Sequence, residues 1–274
     1  MCRAAAPARQ YAAVTSDQGT SDRVLSVEVS RGVATLTLDS PGNRNALSRA
    51  MRAQLRSAVH DALADDAVRV IVLDHTGRVF CSGMDLAEAA GGGAGDQGVR
   101  EFPELLSMLW NSPKPAVAVI RGPARAGGVG LAAACDVVVA ASSASFAFSE
   151  VRLGLVPAVI SAVCLPRMVP HVAHRLMLTG EIFDAATAAS GGLVDLVVPD
   201  DGVDAALSAL LSALAAGAPA ALAETKRLLR ARTAALSFDD LLDLSARFFA
   251  SEEGQEGIAS FREKRAARWV PPGD

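Results

Sequence analysis

Residues 125–136, Arg125-Ala-Gly-Gly-Val-Gly-Leu-Ala-Ala-Ala-Cys135-Asp136, put a glycine run between an apolar strand, Pro115–Ile120, and an apolar helix. That order aims unpaired backbone N–H groups at whatever sits above the helix N-terminus. Glycine lacks a Cβ, so an oxygen of a bound molecule can approach the main chain closely. A second element of this kind, Cys81-Ser82-Gly83-Met84-Asp85-Leu86, follows another apolar strand at Val68–Asp74. Two such amides converging on one carbonyl would form an oxyanion hole. Two tight strand-to-helix turns with no ligand would look the same, and the residues alone leave both readings open.

Working outward, Val24–Ser30 and Val33–Asp39 alternate in polarity around Arg31-Gly32 and predict a β-hairpin. Ser48 predicts the cap of an amphipathic helix over Arg49–Ala64, with Met51, Leu55, Val59 and Leu63 on one face. Helix Val99–Asn111, the strand before the glycine run, strand Asp136–Ala141 and a short strand at Ser145–Phe148 continue a β-β-α rhythm. Beyond residue 165 the pattern turns helical: Val172–Leu178, Ala185–Ala189, Asp204–Ala215, Ala220–Ala231, Phe238–Phe249 and Glu252–Ala267, with one strand at Val194–Val198. This predicts an α/β core over residues 23–200 and a helical region over 201–274 that needs a surface to pack on. Residues 1–22 read as a tail. Gly93-x-Gly95-x-x-Gly98 matches the dinucleotide fingerprint by letter, but no strand precedes it, so it reads as a surface loop.

The chain has 274 residues, enough to bury a sizeable core. It is 51% hydrophobic but only 4% aromatic, so that core is built from Ala, Val and Leu. A formal net charge of −4 leaves no basic footprint for nucleic acid. Cys2, Cys81, Cys135 and Cys164 are far apart and form no C-x-x-C pair, which suits a reduced, cytoplasmic chain. The N-terminal segment lacks the apolar core of a signal peptide. No apolar run reaches the roughly 18–20 residues of a membrane span, so no membrane partner is expected.

Seven segments in order resemble the crotonase, or enoyl-CoA hydratase/isomerase, family from about Val24 to Trp269. They are Asn43-Arg44-Asn45-Ala46-Leu47; Phe80 through Leu86; Arg121 through Gly128 and on to Cys135-Asp136; Glu150-Val-Arg-Leu-Gly-Leu-Val-Pro157; Leu178-Thr-Gly180; Ala188–Leu193 with Val197-Val198; and Phe261 through Arg265. The resemblance implies a crotonase-like spiral of β-β-α turns with a C-terminal helical trimerisation region, in trimers or dimers of trimers. It implies an acyl-CoA thioester substrate whose CoA is part of the substrate, with no separate cofactor and no metal. The thioester oxygen would lie between the amides of Met84 and Gly127, with Glu150 transferring protons. Arg44, Ala46 and Leu47 match the segment along the nucleotide and pantetheine. Asp85 and Leu86 match the segment beside adenine, and Lys264 a position near a neighbouring subunit's adenine.

The chain departs from the family's paired-glutamate hydratases at one position, where Gly130 stands in place of the first glutamate. One carboxylate can act in both directions. Glu150 alone could therefore hydrate a 2-enoyl-CoA, the favoured reading, or move a proton from C4 to C2 as a 3-enoyl to 2-enoyl isomerase. A non-catalytic acyl-CoA binding protein is the reading from another class. Glu88 and Glu101 are the carboxylates that could refill the space at Gly130, and Arg125 could meet a carboxylated acyl group. His171 and His174 have helical spacing but no third ligand, and read as surface residues. Cys81 has no placeable base and reads as a small buried side chain. Glu224, Lys226, Arg227 and Arg230 read as a solvated helix face.

Overall fold

The computed structural model describes residues 23–89, 101–231 and 238–271. The tail expected over 1–22 and the glycine-rich loop at 93–98 lie outside them. The chain runs β1 (Leu25–Ser30), β2 (Val33–Leu38), α1 (Arg49–Ala64), β3 (Val70–His75), α2 (Leu86–Ala89), α3 (Glu101–Trp110) and β4 (Ala116–Ile120). It continues through β5 (Ala124–Arg125), α4 (Gly127–Ala134), β6 (Val137–Ala141), β7 (Ser145–Ala147), α5 (Ala158–Cys164) and α6 (Pro170–Thr179). The last elements are β8 (Phe183–Asp184), α7 (Ala185–Ser190), β9 (Leu196–Val198), α8 (Val203–Ala216), α9 (Pro219–Arg230), α10 (Phe238–Ala250) and α11 (Glu252–Glu263).

The hairpin forms as expected: Arg31 and Gly32 both take positive φ (50° and 79°), as the tight turn between twisted strands requires. From β2 onward the main sheet is parallel, in the order β1-β2-β3-β4-β6-β9. Its central strands, β3 as far as Leu73, β4 and β6, read as unbroken apolar runs because both faces are covered. Ile71, Leu73, Ala118 and Val138 face the core under α1, α3 and α4, whereas Val70, Val72, Val117 and Val139 face Val203, Leu207, Leu210 and Leu214 of α8. The surface that the C-terminal helical region needed is thus, for α8, the back of the sheet. A small second sheet, β5-β7-β8, stands beside the first. No single helix among the described residues is long and apolar enough to cross a membrane.

Ser48 caps α1 as expected, its hydroxyl accepting from Met51 N at 3.2 Å. Two expectations need correction, and some short elements went unread. α11 stops at Glu263 rather than Ala267, because Lys264 turns into the left-handed region (φ 54°) and Arg265 folds back onto Glu256. Helix α5, opened by Pro157, and strands β5 and β8 carried too short a pattern to be read. The face holding Lys226 and Arg230 is not solvated. Lys226 Nζ lies 2.7 Å and Arg230 Nη2 2.9 Å from the Asp136 carboxylate, which also accepts from Ala116 N, and the Arg230 guanidinium stacks 3.3 Å from the Trp110 ring centroid. These cations clamp α9 to the end of the sheet, and burial pushes both of their pKa values down.

His75, at the end of β3, is 7% exposed. Its Nε2 accepts from Arg121 N at 3.1 Å, and its Nδ1 lies 3.3 Å from Thr76 O, so the proton is assigned to Nδ1. Burial holds its pKa below the ordinary 6.5, outweighing the pull of Asp74. A histidine depressed in the folded state contributes stability that is present above 6.5 and is lost as pH falls through the folded value. Urea unfolding should therefore show stability falling more steeply on acidification below about pH 6.5 in the wild type than in His75→Gln. Parallel pH profiles would assign the loss to other groups.

Candidate active site

Met84, Gly127 and Glu150 line one cavity of about 340 Å³ between the Cys81–Leu86 segment, α3, the start of α4 and α5. Its wall is mostly apolar, with Phe102, Leu155, Val156 and Ile160, and it carries the charged side chains of Arg52, Asp85, Glu88 and Glu150.

The direction of each amide follows from what holds the carbonyl of the same peptide. A trans peptide points its C=O and N–H to opposite sides, and no cis peptide occurs among the described residues. Gly83 O accepts from Leu47 N at 2.8 Å, so Met84 N–H points the other way. Ala126 O accepts from Val129 N at 2.9 Å and Gly130 N at 3.2 Å, so Gly127 N–H points out of the helix. Gly127 is also the first residue of α4, where an N–H has no intrahelical acceptor. Ala126 pays for this geometry with φ 47° and ψ −117°, a strained backbone for a residue with a Cβ.

The two turns meet because their glycines allow it. Gly83 has φ +92°, and a Cβ there would lie 3.2 Å from Arg125 O and 3.6 Å from Gly127 N. On Gly128 a Cβ would lie 2.7 Å from both Cβ and O of Cys81. The Cys81–Ala124 bridge and the hydrogen bond from Arg125 N to Cys81 O (2.9 Å) complete the joint. Cys81 itself is buried, its thiol pushed up to about 12 by desolvation, and is a packing residue as expected.

Glu150 sits on a 3-10 turn, residues 149–153, between β7 and α5. Its Oε2 is buried with no hydrogen-bond partner among the described residues. Desolvation raises its pKa above the ordinary glutamate value. A buried carboxylate oxygen without a partner is costly unless a ligand or water uses it, and one carboxyl group can both take and return a proton.

The space where a side chain at Gly130 would go is filled. A Cβ there would lie 2.4 Å from Ile160 Cγ2 and 3.0 Å from Ile160 Cβ. Neither acidic candidate replaces it. Glu88 lines the cavity, but its Oε2 accepts from Arg49 N at 2.8 Å, and Glu101 is not a wall residue and pairs with Arg52 at 3.4 Å. Arg125 does not face the cavity either: its guanidinium donates to Ala124 O, Ser145 O and Ser145 Oγ and braces β5 against β7.

Of the residues matched to CoA, Asp85 and Leu86 lie on the cavity wall, and Leu47 pairs with Met84 behind it. Ala46 is buried beside Leu47, Arg44 is exposed on the same loop, and Lys264 is exposed at the end of α11, away from this wall. Sequence reasoning missed Arg52, Phe102 and Ile160. The one available signal was Gly130 itself, since a glycine inside an apolar helix implies a bulky neighbour. No cluster of His, Cys, Asp and Glu able to hold a metal occurs among the described residues.

A family model described as enoyl-CoA hydratase/isomerase matches residues 28–271. The chain is 38% identical over 254 residues to a Rhodobacter capsulatus protein named "Probable enoyl-CoA hydratase", covering 89% of this chain and 97% of that one. It is 35% identical over 248 residues to the 2,3-dehydroadipyl-CoA hydratase of Escherichia coli, covering 88% and 96%. The crystal structure of an enoyl-CoA hydratase from Shewanella pealeana superposes with a TM-score of 0.83 at 33% identity, over 90% of this chain and 96% of that one. With a family model matched over most of its length and this architecture, the chain belongs to the enoyl-CoA hydratase/isomerase, or crotonase, family.

Proposed function

We propose that this protein hydrates a 2-enoyl-CoA thioester, with Met84 and Gly127 N–H on the thioester oxygen and Glu150 as the only proton-transferring carboxylate. The observation that carries this reading is the unpartnered, buried Oε2 of Glu150 on the same cavity wall as the two outward-pointing amides. Glu150 takes a proton from water as the water oxygen bonds to C3. The electron pair of the double bond moves to the thioester oxygen, where the two N–H dipoles stabilise the growing charge more than they stabilise the ground state. Protonated Glu150 then returns its proton to C2, and the thioester carbonyl re-forms. Each donor is worth about 3–4 kcal/mol of barrier. No metal or redox cofactor enters this sequence.

A second reading, 3-enoyl to 2-enoyl isomerisation, is favoured by one observation. Ile160 fills the place of a second carboxylate with apolar atoms, which suits a proton passing from C4 to C2 on one base without water. Under either reading the loop through Arg44, Ala46 and Leu47 and the Asp85–Leu86 segment take the CoA moiety. Exposed Leu229, Phe249 and Phe261 on α9–α11 support assembly as a homotrimer or a dimer of trimers, with Lys264 offered to a neighbour's CoA. A cytoplasmic location completes the reading.

Turnover of crotonyl-CoA and a 3-enoyl-CoA, followed by conjugated-thioester absorbance, separates the two chemistries. Crotonyl-CoA absorbance should be lost, and Glu150→Gln should slow this about 10²–10⁴-fold. The carboxylate form is the base, so kcat/KM should fall as pH drops through a value above the ordinary 4.5 of glutamate. Absorbance gained only from the 3-enoyl substrate would assign isomerisation, and thioester binding without either reaction would assign a binding protein.

The cavity also predicts how a paired-carboxylate site could be rebuilt. Gly130→Glu alone should destabilise the fold by about 1–3 kcal/mol through overpacking against Ile160. Combined with Ile160→Ala it should raise the hydration rate about tenfold or more, since a second positioned acid–base group contributes on that scale. An unaccelerated double variant that folds would show that the space cannot be used this way.

A further inference from the structure

Arg52, on the first turn of α1, is 4% exposed and yet reaches the cavity wall. Its Nη1 donates to Leu47 O at 2.6 Å, and its Nε lies 3.4 Å from Glu101 Oε2 on α3. Leu47 is the residue whose N–H holds Gly83 O at 2.8 Å and so sets the direction of Met84 N–H. Leu47 reaches the other amide as well: a Cβ on Gly127 would lie 2.8 Å from Leu47 Cδ1, and 3.3 Å from the ring of Phe102, the neighbour of Glu101. One buried guanidinium thus grips the carbonyl of the residue that orients one donor, and ties down the helix packed against the other.

Stability alone is a poor reason to keep it there. A contact of 3.4 Å to a half-exposed carboxylate contributes little, and an apolar side chain of similar volume joins helices at least as well as a buried ion pair. What an apolar side chain cannot supply is a donor to Leu47 O.

We propose that Arg52 is a positioning residue of the acyl-thioester site: by holding Leu47 O it sets the orientation of the Gly83–Met84 peptide, and through it the strength of the Met84 hydrogen bond to the thioester oxygen. The proposal rests on the reading of Met84 and Gly127 as the thioester donors. Lysine is a point charge on a flexible stem and lacks the planar fork by which Arg52 reaches Leu47 O through Nη1 and Glu101 through Nε, so Arg52→Lys impairs the alignment and Arg52→Met abolishes the grip.

The test is isotope-edited infrared spectroscopy of butyryl-CoA labelled at the thioester carbonyl carbon, bound to wild type, Arg52→Lys and Arg52→Met. Butyryl-CoA has no double bond and stays unreacted. It is paired with kcat and KM on whichever enoyl-CoA the protein turns over. Wild type should lower the carbonyl stretch relative to free ligand. Arg52→Met should lose at least about half of that lowering and about tenfold or more in kcat, with KM changed less than about threefold, because misalignment acts on the transition state. Arg52→Lys should fall between. A wild-type band and kcat in Arg52→Lys overturns the proposal, even if Arg52→Met does not fold. So does a loss confined to thermal stability or to KM. An unshifted carbonyl band in the wild type would instead overturn the reading of Met84 and Gly127 beneath it.

Discussion

A Cβ on Gly128 would sit 2.7 Å from the Cβ and from the carbonyl oxygen of Cys81, so α4 can lie against the Cys81–Met84 turn only where its backbone is bare. From that contact follow the convergence of the two amide-bearing turns, the full burial of α4, and the burial of Cys81 as a packing residue. The same close approach carries Gly127 N–H to the cavity, at the cost of the strained dihedrals of Ala126. Strain of this kind persists where its surroundings over-determine it. Here Ala126 N is held by Ala147 O, and Ala126 O by two helix amides.

Charge is distributed to match. Asp136 at the far end of α4 gathers Lys226 and Arg230, so that α9 is fastened where α4 runs into β6. Arg52 performs a comparable task at the near end, through a backbone carbonyl instead of a carboxylate. Between these two anchored ends the cavity wall is mostly apolar. In such a setting the dipoles of two fixed N–H groups count for more than they would in water, and a lone carboxylate such as Glu150 is held toward its protonated form.

The packing at Gly130 shows how the chemistry open to a site is set by its neighbours. A glutamate there needs space, and Ile160 occupies that space with its Cγ2 2.4 Å from the position of the missing Cβ. Gly130 and Ile160 therefore fit each other as a coupled pair, 30 positions apart in the chain, and set an apolar wall where a second carboxylate would stand. Either residue alone would look unremarked in the sequence: a glycine in a glycine run, an isoleucine in an apolar helix.

The sequence by itself determined the order of the main-sheet strands and of the longer helices, the hairpin at Arg31-Gly32, the cap at Ser48, and the three residues that meet at the cavity. These rest on local chemistry: period, capping groups, glycines where the backbone must turn or touch, and the in-order motifs that mark the family. Tertiary structure alone decided what fills the gap at Gly130, that Arg125 braces a small sheet, that Lys226 and Arg230 are buried on Asp136, and that Arg52 grips Leu47. Each of these depends on the side chain's partner across space, and a long cation reads the same in a sequence whether it ends in water or on a buried carbonyl. The early end of α11 belongs with them, since Lys264 turns left-handed where Arg265 folds back onto Glu256, a contact that hydrophobic period does not encode.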